Sequence, residues 1–395
     1  MSVWSSLVGQ EAAVAKLSDA AASARAIVAS RGGRASDEAR SMSHAWLITG
    51  PPGSGRSVAA RAFAAALQCT GETPGCGACP GCRTTMARTN ADVVFAATET
   101  SIINVDTARS LVLQAQSSPS QGLWRVIVVE DADRLGESGA NALLKAIEEP
   151  PEHTVWLLCA PSPEDMIATI RSRCRHLGLR IPTAAAVADL LVREGVATPD
   201  VALDAARAAQ SHIGLARALA RDPQMRERRR AIITAPASVR SVGEAVMAAD
   251  RLLETAKAQA DAQVSERNAR EKAELLRQLG MEEGESATKA SRTMIRQLEE
   301  DQKRRSKRAL TDAIDRALID LLAIYRDVLM VQVGGDGELI NTDLSDLVNE
   351  IAQDSTPRQT LARVDHIETA RKRLVSNGNP LLVLEDMAIS LRPQA

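Results

Sequence analysis

An α/β domain with a largely parallel sheet, followed by an all-helical remainder, is the fold that this 395-residue chain predicts. Three observations carry it. Six of the seven aromatic residues (Trp4, Trp46, Phe63, Phe95, Trp124 and Trp156) precede residue 160, and only Tyr325 follows. Short β-type runs at Ala45–Thr49, Val126–Val129 and Thr154–Cys159 alternate with helix-like stretches, as strands do when crossover helices lay them parallel. Beyond Pro182 the strand signal stops, and Ala, Leu, Arg and Glu at helical spacing take over.

Length and charge bound the rest. At about 150 residues per domain, two or three domains are expected. With 48 basic and 50 acidic residues, a net charge of −2 and a pI near 6.3, the chain has no strong positive field, which disfavours tight autonomous DNA binding. The most apolar stretch, Leu318–Val333, is broken by Asp320, Arg326 and Asp327, so no membrane span is expected. No basic segment precedes a compact apolar block at the N-terminus, which points to a cytoplasmic protein whose six cysteines stay reduced.

In chain order, Ser30–Ser43 reads as a surface loop ahead of the first central strand. Gly50-Pro51-Pro52-Gly53-Ser54-Gly55-Arg56-Ser57 then joins that strand to an Ala-rich helix, the setting of a phosphate-binding loop. Gly50, Gly53 and Gly55 would let the backbone approach phosphate, and Ser57 would ligate magnesium. Arg56 stands where a compact lysine is usual, so ATP and Mg²⁺ binding stay open, hydrolysis is doubtful, and a loop kept for its turn geometry is the alternative. Glu130-Asp131 closes the second strand in the reverse of the usual Asp-Glu order, which misplaces both metal ligand and base.

Cys69, Cys76, Cys79 and Cys82 follow the loop's helix with spacing C-x6-C-x2-C-x2-C. Four thiolates predict tetrahedral, structural Zn²⁺ with no open position, an iron–sulfur cluster being the rival. Cys159 and Cys174 lie apart from them. In the helical part, breaks fall at Asp222-Pro223 and Val333–Gly337. Between them 22 of the 48 residues Asp261–Arg308 are charged, either a solvated helical insertion or an arm contacting DNA or a partner through Lys303-Arg304-Arg305 and Lys307-Arg308.

Together these motifs resemble the AAA+ subunits of bacterial clamp loaders, which open the sliding clamp of the replicative polymerase. The zinc module sits directly after the phosphate-loop helix, as in the family, and Asn141–Pro151 matches the segment before its sensor strand. Ser172-Arg173-Cys174 matches the arginine-finger tripeptide, Gly214–Leu219 the lid motif in which Arg217 would sense nucleotide, and Val8-Gly9-Gln10 the segment beside the adenine. Asn379-Pro380-Leu381-Leu382 looks like the last collar helices. Arg173, Arg217 and Asn379 also have plain alternatives: pairing with a local carboxylate, a surface salt bridge and helix capping.

The resemblance implies an AAA+ domain over 1–180 with its zinc module at 69–82, a helical lid over 181–222, and an all-α collar over 223–395 carrying the insertion at about 261–308. The family contains ATP-hydrolysing motor (gamma/tau) subunits and a delta-prime type that lends its finger in trans. Arg56, Glu130-Asp131 and Ala160-Pro161, in place of the motor's sensor threonine, point to the delta-prime type, with a motor subunit as the alternative. Implied partners are motor and delta subunits of the DNA polymerase III holoenzyme, the sliding clamp and primer-template DNA.

Overall fold

The computed structural model describes residues 2–30, 41–96, 102–279 and 289–392. Two compact units divide the chain, Met1–Ala220 and Arg221–Ala395.

In the first unit five parallel strands, β1 (Ala45–Thr49), β2 (Val93–Ala96), β3 (Arg125–Val129), β4 (Thr154–Ala160) and β5 (Arg175–Gly178), form one sheet in the order β2-β3-β4-β1-β5. The pleat sorts their side chains by alternation. Trp46, Ile48, Val126, Val128, Leu157 and Cys159 face one side, where α1 (Glu11–Ala29) and α2 (Arg56–Leu67) cover them. Ala45, Leu47, Ile127, Val129, Trp156 and Leu158 face the other, under α4 (Val105–Ala115) and α5 (Glu137–Glu148). All seven residues of β4 are buried, as a strand covered on both faces must be. Both central indoles keep a partner for the N–H: Trp46 donates to the Ser43 carbonyl at 2.9 Å and Trp156 to that of Ala146 at 3.1 Å.

Between these elements lie α3 (Pro80–Met86) and α6 (Ala168–Arg171), and the unit ends with α7 (Ala184–Arg193), α8 (Pro199–Ala208) and α9 (Ile213–Arg221). The second unit is helical throughout its described residues: α10 (Pro223–Ser238), α11 (Val242–Gln278), α12 (Lys289–Gln332), α13 (Ser345–Gln353), α14 (Pro357–Val375) and α15 (Pro380–Leu391). Its core gathers Ile314, Leu318, Leu321, Tyr325, Val348, Ile367 and Leu384.

Both anticipated breaks coincide with helix ends, before Pro223 and after Gln332. Two strands were not anticipated. β2 is four residues long and β5 carries Arg175 and His176 in an edge position, too short and too polar to read as strands. Residues 31–40 of the expected loop and 280–288 of the charged insertion lie outside the described residues. The rest of the insertion belongs to α11 and α12, which pack on each other near their middles through Ala260, Val264 and Ala309.

Candidate phosphate loop and cysteine cluster

Strand β1 ends at the loop, and the loop's backbone has the expected form. Gly53 and Gly55 sit at φ +88° and +90°, a region that costs a side chain-bearing residue energy, and Gly55 caps α2 in the left-handed conformation with no side chain over the helix N-terminus. The Gly50 N–H donates to Pro161 O at 3.1 Å, fastening the loop to the end of β4. A Cβ on Gly53 would lie 2.8 Å from the Cα of His212, so the residue that leads into α9 rests on the loop. His212 Nδ1 accepts from the Leu215 N–H at 3.2 Å, which holds it at the head of that helix.

Around the loop stand the other expected residues. Gln10 fastens the N-terminal segment to it: Nε2 donates to Arg180 O at 2.6 Å and Ser54 O at 3.4 Å, and Oε1 accepts from Arg180 N at 3.2 Å. Val8, partly buried, adjoins this anchor, and Ser57 lies partly exposed in the first turn of α2. The Arg56 guanidinium donates to the Gly50 carbonyl, folding back on its own loop. Ala160 pairs in register with Thr49, so the end of β4 offers no polar side chain to a phosphate.

Glu130 and Asp131 follow β3, as anticipated, but Glu130 is engaged. Arg88 Nη2 lies 2.5 Å from Glu130 Oε1, and the carboxylate is only 13% exposed. Burial first, and then Asp131, push its protonation upward, opposed by Arg88 and Arg61. Burial likewise raises Asp133, against the pull of Arg134 and Arg56. A magnesium ion needs a free, ionised carboxylate, and here a guanidinium holds that position. The residues present therefore do not fit Mg²⁺, although the loop's backbone keeps a phosphate-binding form.

Arg217 and Arg173 lie elsewhere on the unit. Arg217 forms a two-pronged pair with Glu194, Nε to Oε2 and Nη2 to Oε1 both 2.9 Å. Arg173, just past α6, is 35% exposed, its Nη2 is 3.2 Å from Glu148 Oε1, and its Nη1 donates to Thr169 O at 3.0 Å. Asn379 caps α15, accepting from Leu381 N at 3.0 Å. For all three, the plain alternative contact is formed.

The four cysteines converge. Their sulfurs lie within 4.8 Å of one another, and those of Cys69 and Cys79 are 3.9 Å apart. A tetrahedron with Zn–S bonds of about 2.3 Å has edges of about 3.8 Å. Cys79 caps α3, and the backbone N–H groups of Cys79 and Cys82 point at the sulfurs of Cys76 and Cys79, both at 3.4 Å. Burial opposes the Cys79 thiolate, but the N–H groups of Cys82 and Thr70 outweigh it and bring this thiol to about 6. Burial and then the adjacent Cys79 and Cys69 drive Cys82 far upward, the signature of thiols that cannot all ionise without a cation among them. Arg25 braces the cluster's loop through the carbonyls of Cys69 and Glu72 at 2.9 and 2.8 Å, and the Val3 N–H donates to Gly75 O at 3.0 Å. This donor set fits Zn²⁺. Cys159 is core, pushed up to about 12 by burial, and Cys174 packs partly into the opposite face.

The first unit is thus a five-stranded parallel sheet with flanking helices and a glycine-rich loop leaving β1, and a helical C-terminal region follows it in the chain. Sequence comparison narrows this. The family described as "DNA polymerase III, delta subunit" matches residues 34–183. The chain is 35% identical over 182 residues to DNA polymerase III subunit delta' of Escherichia coli, covering 45% of this chain and 54% of that one. To the delta' subunit of Pseudomonas aeruginosa it is 36% identical over 161 residues, 40% and 48% of the two chains. The gamma/tau subunit of Mycobacterium tuberculosis is 35% identical over 170 residues, 41% of this chain and 29% of its own. The matched part thus spans about half of the delta' relatives and less of gamma/tau. Over part of its length the chain is similar to the delta' and gamma/tau subunits of DNA polymerase III alike.

Sequence reading singled out the loop, the carboxylates and the cysteines, and missed Arg88, Arg61, Gln10 and His212 as their neighbours. Gln10 alone stood in a quoted motif.

Proposed function

We propose that this chain is a non-hydrolysing, delta-prime-like subunit of a cytoplasmic replicative clamp loader, built into a ring with motor (gamma/tau) and delta subunits. In that ring Arg173 serves a neighbouring subunit's ATP, and the assembly loads the sliding clamp onto primed DNA. One contrast carries the reading: the chain's own loop lacks a free metal carboxylate and a polar sensor at Ala160, while Arg173 is half-exposed with a single ion-pair partner, Glu148, that is itself exposed. Such a pair contributes little and is readily exchanged for a better one. A γ-phosphate with developing charge offers two oxygens to a guanidinium fork. The 1–180, 181–222 and 223–395 division belongs to the same proposal.

The test is a reconstituted complex carrying Arg173→Ala. At the site it serves, the rate should fall by roughly 10³- to 10⁵-fold, so total clamp- and DNA-stimulated ATPase drops in part and clamp loading more severely. Arg173→Lys should rescue poorly. Unchanged ATPase and loading would remove the finger role. The similarity to gamma/tau favours a second reading, an ATP-hydrolysing motor, which a magnesium-dependent ATPase of the isolated chain would support.

A further inference from the structure

We infer that Arg88 is a built-in counter-ion for Glu130, a guanidinium delivered by the cysteine module into the place of a divalent cation, so that this face of the sheet holds its carboxylates without metal. The inference rests on reading Glu130 as the carboxylate that faces the phosphate loop, and it deepens the proposed loss of hydrolysis by naming the group responsible.

The geometry is specific. Arg88 follows the C-terminus of α3, the helix that Cys79 caps and Cys82 belongs to. It adopts φ +59°, a left-handed conformation that side chain-bearing residues rarely take, and its N–H closes the turn on Thr85 O at 3.0 Å. From there the guanidinium lies over the Phe95 ring, 5.0 Å from its centroid, and Nη2 reaches Glu130 Oε1 at 2.5 Å. Stacking on one side and a carboxylate on the other fix a planar group in a way that an ammonium could not reproduce. The Glu130 N–H donates to Ala96 O at 3.0 Å, so strands β2 and β3 present ring and carboxylate as one rigid surface.

The surrounding charges agree. Arg61, on α2, has a buried Nε with no hydrogen-bond partner and lies near enough to Arg88 and Glu130 for both to bear on its charge. Arg56 acts on Asp133 in the same way. Arg88 and Arg61 thus bring positive charge to Glu130, and Arg134 and Arg56 bring it to Asp133, from within the fold. A dication entering here would meet arginine.

Thermal unfolding of the full-length, zinc-loaded chain with and without millimolar MgCl₂ tests this, with Arg88→Ala and the better-spaced Arg88→Gln as variants. Wild type should show no Mg²⁺-dependent change. Both variants should unfold at lower temperature, and Mg²⁺ should raise their midpoint by about 2 °C or more as the ion takes the vacated position. Arg88→Lys, which keeps the charge, should show no such rise, and adding Glu130→Gln to Arg88→Ala should abolish it. A Mg²⁺ shift in wild type that Glu130→Gln removes would overturn the inference. So would charge-free Arg88 variants that ignore Mg²⁺, or a rise that survives Glu130→Gln. None of these outcomes depends on Arg173, so a failed finger with an intact Mg²⁺ response would sink the proposed function and leave this inference standing.

Discussion

Asp92 is the residue on which the first unit's electrostatics turn most simply. It is fully buried at the start of β2 and accepts from the N–H groups of Ser120, Gln121 and Gly122 at 2.6, 2.7 and 2.6 Å and from the Ser120 hydroxyl at 2.9 Å. Arg125 stands 3.7 Å away. Burial alone would raise its protonation, but these donors outweigh burial and hold it below the ordinary carboxylate range. A carboxyl whose folded-state value is depressed adds stability that is complete above its unfolded value and lost as pH falls through the folded one. Asp92→Asn keeps the shape, loses the charge and turns an acceptor into a donor facing N–H groups, so it should cost about 3 kcal/mol at neutral pH. The deficit should shrink as pH falls below about 4, where the carboxyl begins to protonate in the unfolded chain while the folded one still holds its charge. Urea unfolding at neutral and acidic pH checks both the size and the sign. Arg217 and Glu194, more exposed, should matter far less: Arg217→Ala should change stability by under about 1 kcal/mol.

At the scale of elements, the cysteine module shows what spacing could and could not convey. Four thiols in fourteen residues indicated a metal site, because few other uses bring them together. That Cys79 would cap a helix, and that this helix would end in Arg88 beside Glu130, was not legible, since the contact joins residues 42 positions apart through a left-handed turn at a non-glycine residue. The same reason hid β2 and β5: short strands are made by their neighbours' hydrogen bonds and carry little pattern of their own. By contrast β1, β3 and β4 were readable because burial on both faces demands unbroken apolar runs. If the module is a zinc site, metal analysis should return about one zinc per chain. Chelation should lower the unfolding temperature of the unit containing α3 while the helical unit keeps its own transition. Cys82→Ser should do the same, its thiol being the most deeply buried of the four ligands. A visible charge-transfer band with iron in place of zinc would identify the rival cluster.

For the whole molecule, charge decides how strongly the isolated chain can hold DNA. Basic and acidic residues balance to within one charge in each unit, so neither carries a net positive charge to attract DNA. The densest basic run lies in the insertion, and its charges are largely spent on neighbours. Arg305 lies 2.8 Å from Glu271, Arg304 pairs with Asp301 at 3.8 Å, Arg308 with Asp312 at 3.6 Å, and Lys307 donates to Asn377 at 3.2 Å. Binding phosphate there would mean breaking these pairs, and each broken pair offsets part of the counter-ion release that drives association. The solvated-insertion alternative is therefore the one these contacts favour. Affinity for a primer-template duplex should be no better than the roughly 10⁻⁶ to 10⁻⁴ M typical of non-specific contact at physiological salt, and should fall steeply as salt rises. Replacing residues 265–308 with a short flexible linker removes the whole basic run and still spares Ala260, Val264, Ala309 and Leu310, which pack the base of the helix pair. Fluorescence anisotropy should find the affinity of this shortened chain within about twofold of wild type, a change of under about 0.5 kcal/mol. A tenfold loss would make the insertion the DNA contact after all, and tight binding that survives high salt in the intact chain would show that apolar or base-specific contacts outweigh this charge balance.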